Sequence, residues 1–146
     1  MEKKEIKIVG LDLDGTLLTD KKELLPYTKK VIAEALQNGT VVLVATGRPW
    51  TGVPEELREL PGMDYALTAN GARIIETRTG KVLEEHLLSK EAAKKAIAIG
   101  RKYDTLLEVY FDGQGYAQKD EIVQVKKYHK NPNMWDYFLR TRIAVD

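Results

Sequence analysis

The chain has 146 residues, 43% of them hydrophobic and 31% charged, and no cysteine. That length is a soft prior for one domain and suffices for a real core, while the missing thiols exclude disulfide scaffolds, thiolate metal sites and cysteine nucleophiles. Lys and Arg number 23 against 22 Asp and Glu, a net charge of +1, which gives no electrostatic footprint for nucleic acid or an anionic membrane.

No apolar run approaches the roughly 20 residues that span a bilayer. Met1-Glu-Lys-Lys-Glu5 leads straight into a strand-like run and does not read as a signal peptide. The expectation is a soluble, cytoplasmic protein. Ile6 to Leu13 is short, rich in branched residues and ends at Asp14-Gly15, so it reads as a buried strand with a turn after it. Leu25, Val31, Ile32, Ala35 and Leu36 recur at helical spacing, with Pro26 suited to a first turn and Gly39 to the position past the last. Val41 to Ala45 is continuously apolar, as in a parallel strand covered on both faces. A short helix near Pro54 to Leu60 leads to a third strand at Tyr65 to Ala69. Strand, helix, strand in that order makes a βαβ unit and the start of a doubly wound α/β sheet.

Beyond it the pattern changes. Arg73 to Glu76 and Lys81 to His86 flank Thr77-Arg-Thr-Gly80 as a hairpin. Ser89 suits the cap of a helix reaching Tyr103, with Ala92, Ala93, Ala96, Ile97 and Gly100 as its apolar stripe. Leu106 to Phe111 and Tyr116 to Gln118 bracket Asp112-Gly113-Gln114-Gly115, a second hairpin. A helical stretch from Glu121 to His129 precedes the breaker Asn131-Pro132-Asn133. Antiparallel hairpins with helices differ from the parallel start, which places a domain boundary near residue 80, between parts 1–80 and 81–146.

The chemistry gathers at two strand ends. Asp12-Leu-Asp14-Gly15-Thr16 follows the first strand directly, and in open α/β sheets ligands bind beyond the carboxyl ends of the strands. Two carboxylates two residues apart both reach that crevice if the chain turns at Gly15, where backbone N–H groups also face an anion. Thr46-Gly47-Arg48 follows the second strand and supplies a hydroxyl, backbone N–H groups and a fork donor, a set suited to phosphate. An Asp-rich turn and a Thr-Gly turn are the plain alternatives, and the spacing of one βαβ unit between the clusters speaks against them.

Together these motifs resemble the haloacid dehalogenase-like (HAD) hydrolase superfamily, and Thr68-Ala-Asn70-Gly71-Ala72-Arg-Ile74 with the α/β segment after it resembles the Cof-type branch. The resemblance implies an α/β fold, a partial doubly wound (Rossmann-like) parallel sheet core followed by part of an α/β cap domain. It implies Asp12 as the nucleophile that forms an aspartyl-phosphate, Asp14 as general acid and base, and Mg²⁺ on the Asp12 carboxylate and the Asp14 carbonyl. It implies Gly15, Thr16, Thr46, Gly47 and Arg48 around the phosphoryl group, with Asn70 either near the mouth of the site or stabilising its loop. An acid at Asp14 favours phosphatase or phosphomutase chemistry over dehalogenase or ATPase-pump chemistry. The implied partner is a small phosphorylated metabolite, with no nucleic acid and no membrane.

Such enzymes need a later Lys and an acidic metal loop, and nothing of that kind stands between Gly80 and Asp146. The 146 residues therefore read as the N-terminal part of a longer phosphatase, with little activity alone and open sheet edges that invite self-association. A sugar phosphomutase and a non-catalytic interaction module are the other readings. His86 and His129 read as packing or surface residues, Trp50 as packing on the short helix or bordering the site, and the crowd from Tyr103 to Phe138 as the cap's core. The Lys pairs at 3–4, 21–22, 29–30, 94–95 and 126–127 read as solvated faces.

Overall fold

The computed structural model describes residues 5–146, so the signal-peptide reading and the Lys pair at 3–4 fall largely outside the described residues. The chain divides into two compact units, Met1–Glu85 and His86–Asp146.

In the first unit a mixed sheet runs in the order β1 (Ile8–Leu11), β2 (Val41–Ala45), β3 (Tyr65–Thr68), β4 (Arg73–Glu76), β5 (Val82–Glu85). β1, β2 and β3 are parallel neighbours, with Val9 opposite Val42 and Val44 opposite Ala66. Helix α1 (Pro26–Gln37) carries Pro26 in its first turn and stops before Gly39, whose φ of +83° costs a residue without Cβ little. The single-turn helix α2 (Glu55–Arg58) precedes β3. Leu13, Leu18, Ile32, Val42, Val44, Leu57, Met63 and Ile75 form the core, and Trp50 packs against it.

Three expectations change here. The first strand, expected to be buried, is not: in β1 Ile8 and Gly10 are exposed and Val9 and Leu11 only half-buried, β1 being an edge of the sheet among the described residues. The hairpin β4–β5 belongs to this sheet, because β4 pairs antiparallel with β3 as well as with β5; the division falls after Glu85, a few residues past the expected boundary at 80. Val42 and Val44 are buried while Leu43 and Ala45 are half-buried and Val41 is exposed. Among the described residues β2 is thus fully packed on one face, where the apolar run predicts both.

In the second unit Ser89 caps α3 (Lys90–Gly100), its Oγ accepting from the Ala92 N–H at 3.1 Å. The stripe is shallower than expected: Ala93, Ile97 and Gly100 are half-buried, but Ala92 and Ala96 are exposed. The hairpin forms around a two-residue Asp112-Gly113 turn with φ of +48° and +73°, which joins β6 (Glu108–Phe111) to β7 (Gln114–Gln118). The expected helix at 121–129 is two single turns, α4 (Lys119–Ile122) and α5 (Val125–Tyr128). Asn131-Pro132 starts a helix instead of only breaking one: Asn131 Oδ1 accepts from the Asn133 N–H at 3.0 Å and Pro132 opens α6 (Pro132–Thr141). β8 (Arg142–Val145) then pairs parallel with β7.

The core of this unit is Ala117, Ile122, Val125 and Phe138, with Leu106 and Trp135 against it. Tyr137 and Phe138 are buried, whereas Tyr103 and Phe111 remain 69% and 67% exposed, so only part of the aromatic crowd is core. His129 lies beside the Phe138 ring and its carbonyl accepts from Trp135 Nε1, a packing role as expected.

Candidate active site

The site grows from the carboxyl end of β1. Leu13 is fully buried, and the chain on either side of it turns outward, so that Asp12 and Asp14 stand exposed around a hydrophobic anchor. Backbone bonds from Leu17 N to Asp12 O and from Leu18 N to Leu13 O close the turn, and Gly15 sits in it at φ +80°. Thr16 Oγ1 donates to Asp12 Oδ2 at 2.9 Å and so fixes the orientation of that carboxylate.

β1 and β2 are direct neighbours, so the loop after β2 lies beside this turn. Its Arg48 is buried at 7% exposure and forks onto Asp14, Nε to Oδ2 and Nη2 to Oδ1, each at 2.7 Å. Nη1 donates to the Gly52 carbonyl at 2.8 Å, which braces the guanidinium from behind. Lys22 Nζ also donates to Asp14 Oδ1, at 2.8 Å. Partial burial alone would raise the pKa of Asp14, but the hydrogen bonds from Arg48 and then Lys22, with their charges, outweigh it and hold the carboxyl at about 2.

Thr46 is buried, and its Oγ1 accepts from the Arg48 N–H at 3.2 Å. The loop after β3 braces the loop after β2: Ala69 N donates to Arg48 O and Asn70 N to Thr46 O. Ala69, Asn70 and Gly71 all take positive φ, at 50°, 56° and 88°. The Asn70 amide packs so close to Gly47 that a Cβ there would stand 2.8 Å from Asn70 Oδ1.

Each expected residue is thereby placed. Asp12, Asp14, Gly15 and Thr16 share one turn, Thr46, Gly47 and Arg48 share the neighbouring loop, and Asn70 supports that second loop. Arg48 reaches the Asp14 carboxylate, where the fork donor was expected to face a phosphate. Lys22 stands at the site although its Lys-Lys pair reads as a solvated face. The overlooked signal is the pair of buried leucines, Leu18 and Leu24, on either side of the polar turn at 19–23: two anchors that close together hold the turn between them against the site. Among the described residues no group of three or more His, Cys, Asp or Glu is placed to hold a metal ion.

The sequence profile of the haloacid dehalogenase-like hydrolases matches residues 9–142. The chain belongs to this family. It is 31% identical over 101 residues to the 5-amino-6-(5-phospho-D-ribitylamino)uracil phosphatase YcsE of Bacillus subtilis, a match covering 69% of this chain and 40% of that protein. With the pyridoxal phosphate phosphatase YbhA of Escherichia coli it shares 35% identity over 78 residues, 53% of this chain and 29% of the relative. A haloacid dehalogenase-like hydrolase from B. subtilis superposes with a TM-score of 0.77 at 20% identity, over 96% of this chain and 54% of that one. One from Bacteroides thetaiotaomicron gives a TM-score of 0.72 at 23% identity, over 97% and 52%. Similarity at that identity establishes the fold. The chain spans about half the length, or less, of these HAD relatives.

Proposed function

We propose that the chain carries part of the active site of a Cof-type phosphomonoesterase acting on small phosphorylated metabolites. The observation that carries this reading is the pairing of two carboxylates on one turn at the end of a parallel strand with a Thr-Gly loop on the neighbouring strand. In the reaction Asp12 attacks phosphorus, the ester P–O bond breaks, and the leaving alkoxide takes a proton from Asp14, which the free chain holds ionised and which must first take that proton up from solvent as substrate binds. Water then attacks the aspartyl-phosphate, gives its proton to Asp14, and Asp12 is regenerated as phosphate departs.

Thr16 holds Asp12 in line for the attack, and the loop from Thr46 to Arg48 offers the Thr46 hydroxyl and the Gly47 N–H to the phosphoryl oxygens. The Asp12 carboxylate and the Asp14 carbonyl are hard oxygen donors of the type Mg²⁺ selects, and they would hold it. Bound there, the ion would offset the charge of the phosphoryl group. A single side-chain carboxylate among the donors favours weak metal binding and, with no further acidic loop among residues 5–146, little turnover by this chain alone. The open outer edge of β1 supports self-association in addition.

The reading is tested by adding Mg²⁺ and inorganic phosphate to the chain and following its amide NMR spectrum. Shifts confined to Asp12–Thr16 and Thr46–Arg48, and lost in Asp12→Asn, are expected. Shifts elsewhere, or shifts indifferent to Asp12→Asn, would overturn it. Robust Mg²⁺-dependent hydrolysis of a generic phosphate ester by the same chain would overturn the expected low turnover.

A further inference from the structure

Asp14 is held from two sides by unlike cations. On one side stands Arg48, buried, engaging both carboxylate oxygens and braced by the Gly52 carbonyl. On the other stands Lys22, at the tip of a short turn, engaging Oδ1 alone. The turn is built to present it: Thr19 N donates to Glu23 O, Lys22 N to Thr19 O, and Lys22 takes a φ of +65°. A left-handed φ is costly for a residue with a Cβ, and here it coincides with an ammonium drawn in to 18% side-chain exposure against Asp14.

Both oxygens of Asp14 are thus engaged before any substrate arrives, and Oδ1 is engaged twice. A residue that exchanges a proton with a leaving group needs one of those positions. The Arg48 fork cannot yield it without breaking its own brace. Lys22 can: its pair with the half-exposed Asp14 is of the weak, readily exchanged kind, its stem is flexible, and a phosphate dianion is a stronger acceptor for an ammonium than a carboxylate already shared with arginine.

We propose that Lys22 is an anion-displaced latch, covering Asp14 Oδ1 until an incoming phosphoryl group draws its ammonium away and frees that oxygen to take up from solvent the proton it then gives to the leaving group. Lys22 is then a positioning residue for Asp14 first and a phosphate contact second. Two states with different affinity for the anion are what such a switch requires. The proposal rests on the reading of Asp14 as the acid and base, and the test separates the two.

The probe is the Lys22 Nζ resonance of the ¹⁵N-labelled chain, assigned from its loss in Lys22→Met and titrated with inorganic phosphate in the presence of Mg²⁺. Without phosphate the ammonium should be protected from solvent exchange, unlike the exposed lysines. With phosphate it should shift in step with the Asp12–Thr16 amides. Lys22→Met should weaken phosphate binding, by less than the roughly tenfold of one whole charge-assisted bond because Lys22 gives up its bond to Asp14 to make it. Lys22→Arg should recover most of that and melt like the parent, whereas Lys22→Met should lose part of the stability that the clamp on Asp14 contributes near neutral pH. Phosphate that shifts the loop amides but leaves Lys22 Nζ unmoved, or binds Lys22→Met as tightly, overturns the latch and leaves the proposed function standing. Phosphate that shifts nothing overturns both.

Discussion

At the residue scale Asp14 links the charge of the site to the stability of the chain. Its pKa of about 2 lies below the roughly 3.9 of an unfolded aspartate. A carboxyl depressed in the folded state contributes stability that is complete above the unfolded value and lost as pH falls through the folded one. In metal-free solution the parent chain should therefore lose more stability than Asp14→Asn between about pH 4 and about pH 2, read as the shift in urea midpoint across that window. Equal losses would mean that the clamp does not hold Asp14 ionised. Ala69 offers a second test. It is the residue with a β-carbon and no polar side chain in the left-handed run at 69–71, where its φ is +50°. Removing the Cβ relieves the left-handed cost but frees the unfolded chain, so Ala69→Gly should stabilise by about 0.5–1 kcal/mol, measured by urea unfolding at constant slope.

At the element scale, the strands and helices legible in the sequence are those whose signals are local. Pro26 and Gly39 bracket α1, Ser89 starts α3, and Asp112-Gly113 turns β6 into β7, each through its own backbone chemistry. The sheet to which β4–β5 belongs, and the breaking of 119–128 into two turns, depend on tertiary pairing that no local pattern encodes. The pairing of β7 with β8 is of that second kind and has a measurable cost. Arg142 is buried where it ion-pairs with Glu108, donates to the Tyr110 hydroxyl at 2.9 Å and lies within 5.3 Å of the ring centroids of Tyr110, Tyr137 and Phe138. It passes directly over Gly115, where a Cβ would stand 2.7 Å from Arg142 Cδ. A guanidinium held on so many sides cannot give way, so Gly115→Ala should destabilise this unit by about 1–3 kcal/mol, the usual cost of overpacking. Thermal unfolding checks it, and an unchanged midpoint would show that Arg142 is mobile after all.

At the scale of the whole molecule, the candidate site was legible as far as it is carried by single strand ends. Asp12, Asp14 and the Thr46 loop are contiguous motifs after apolar runs, and β1 and β2 bring them side by side. Lys22 and the Gly52 brace were not legible, because a surface-looking lysine and a backbone carbonyl announce nothing until the loops close on Asp14. The strand that carries this chemistry is also the outermost of its sheet among the described residues. Ile8 on it and Ile6 just before it are 64% and 62% exposed. An edge strand with open backbone groups and apolar side chains is a template for another chain. The chain should accordingly self-associate with rising concentration, as followed by sedimentation velocity. Ile8→Lys places a charge on that edge and removes an apolar contact worth about 1.5–3 kcal/mol when fully buried, so it should lower the association constant about tenfold or more. Because Ile8 is largely exposed in the folded chain, the thermal midpoint of the monomer should hardly move. As a control, Phe111→Lys charges an equally exposed aromatic on β6; if it lowers association as much and Ile8→Lys does not, the contact runs through the second unit and the β1 edge is not the surface that associates.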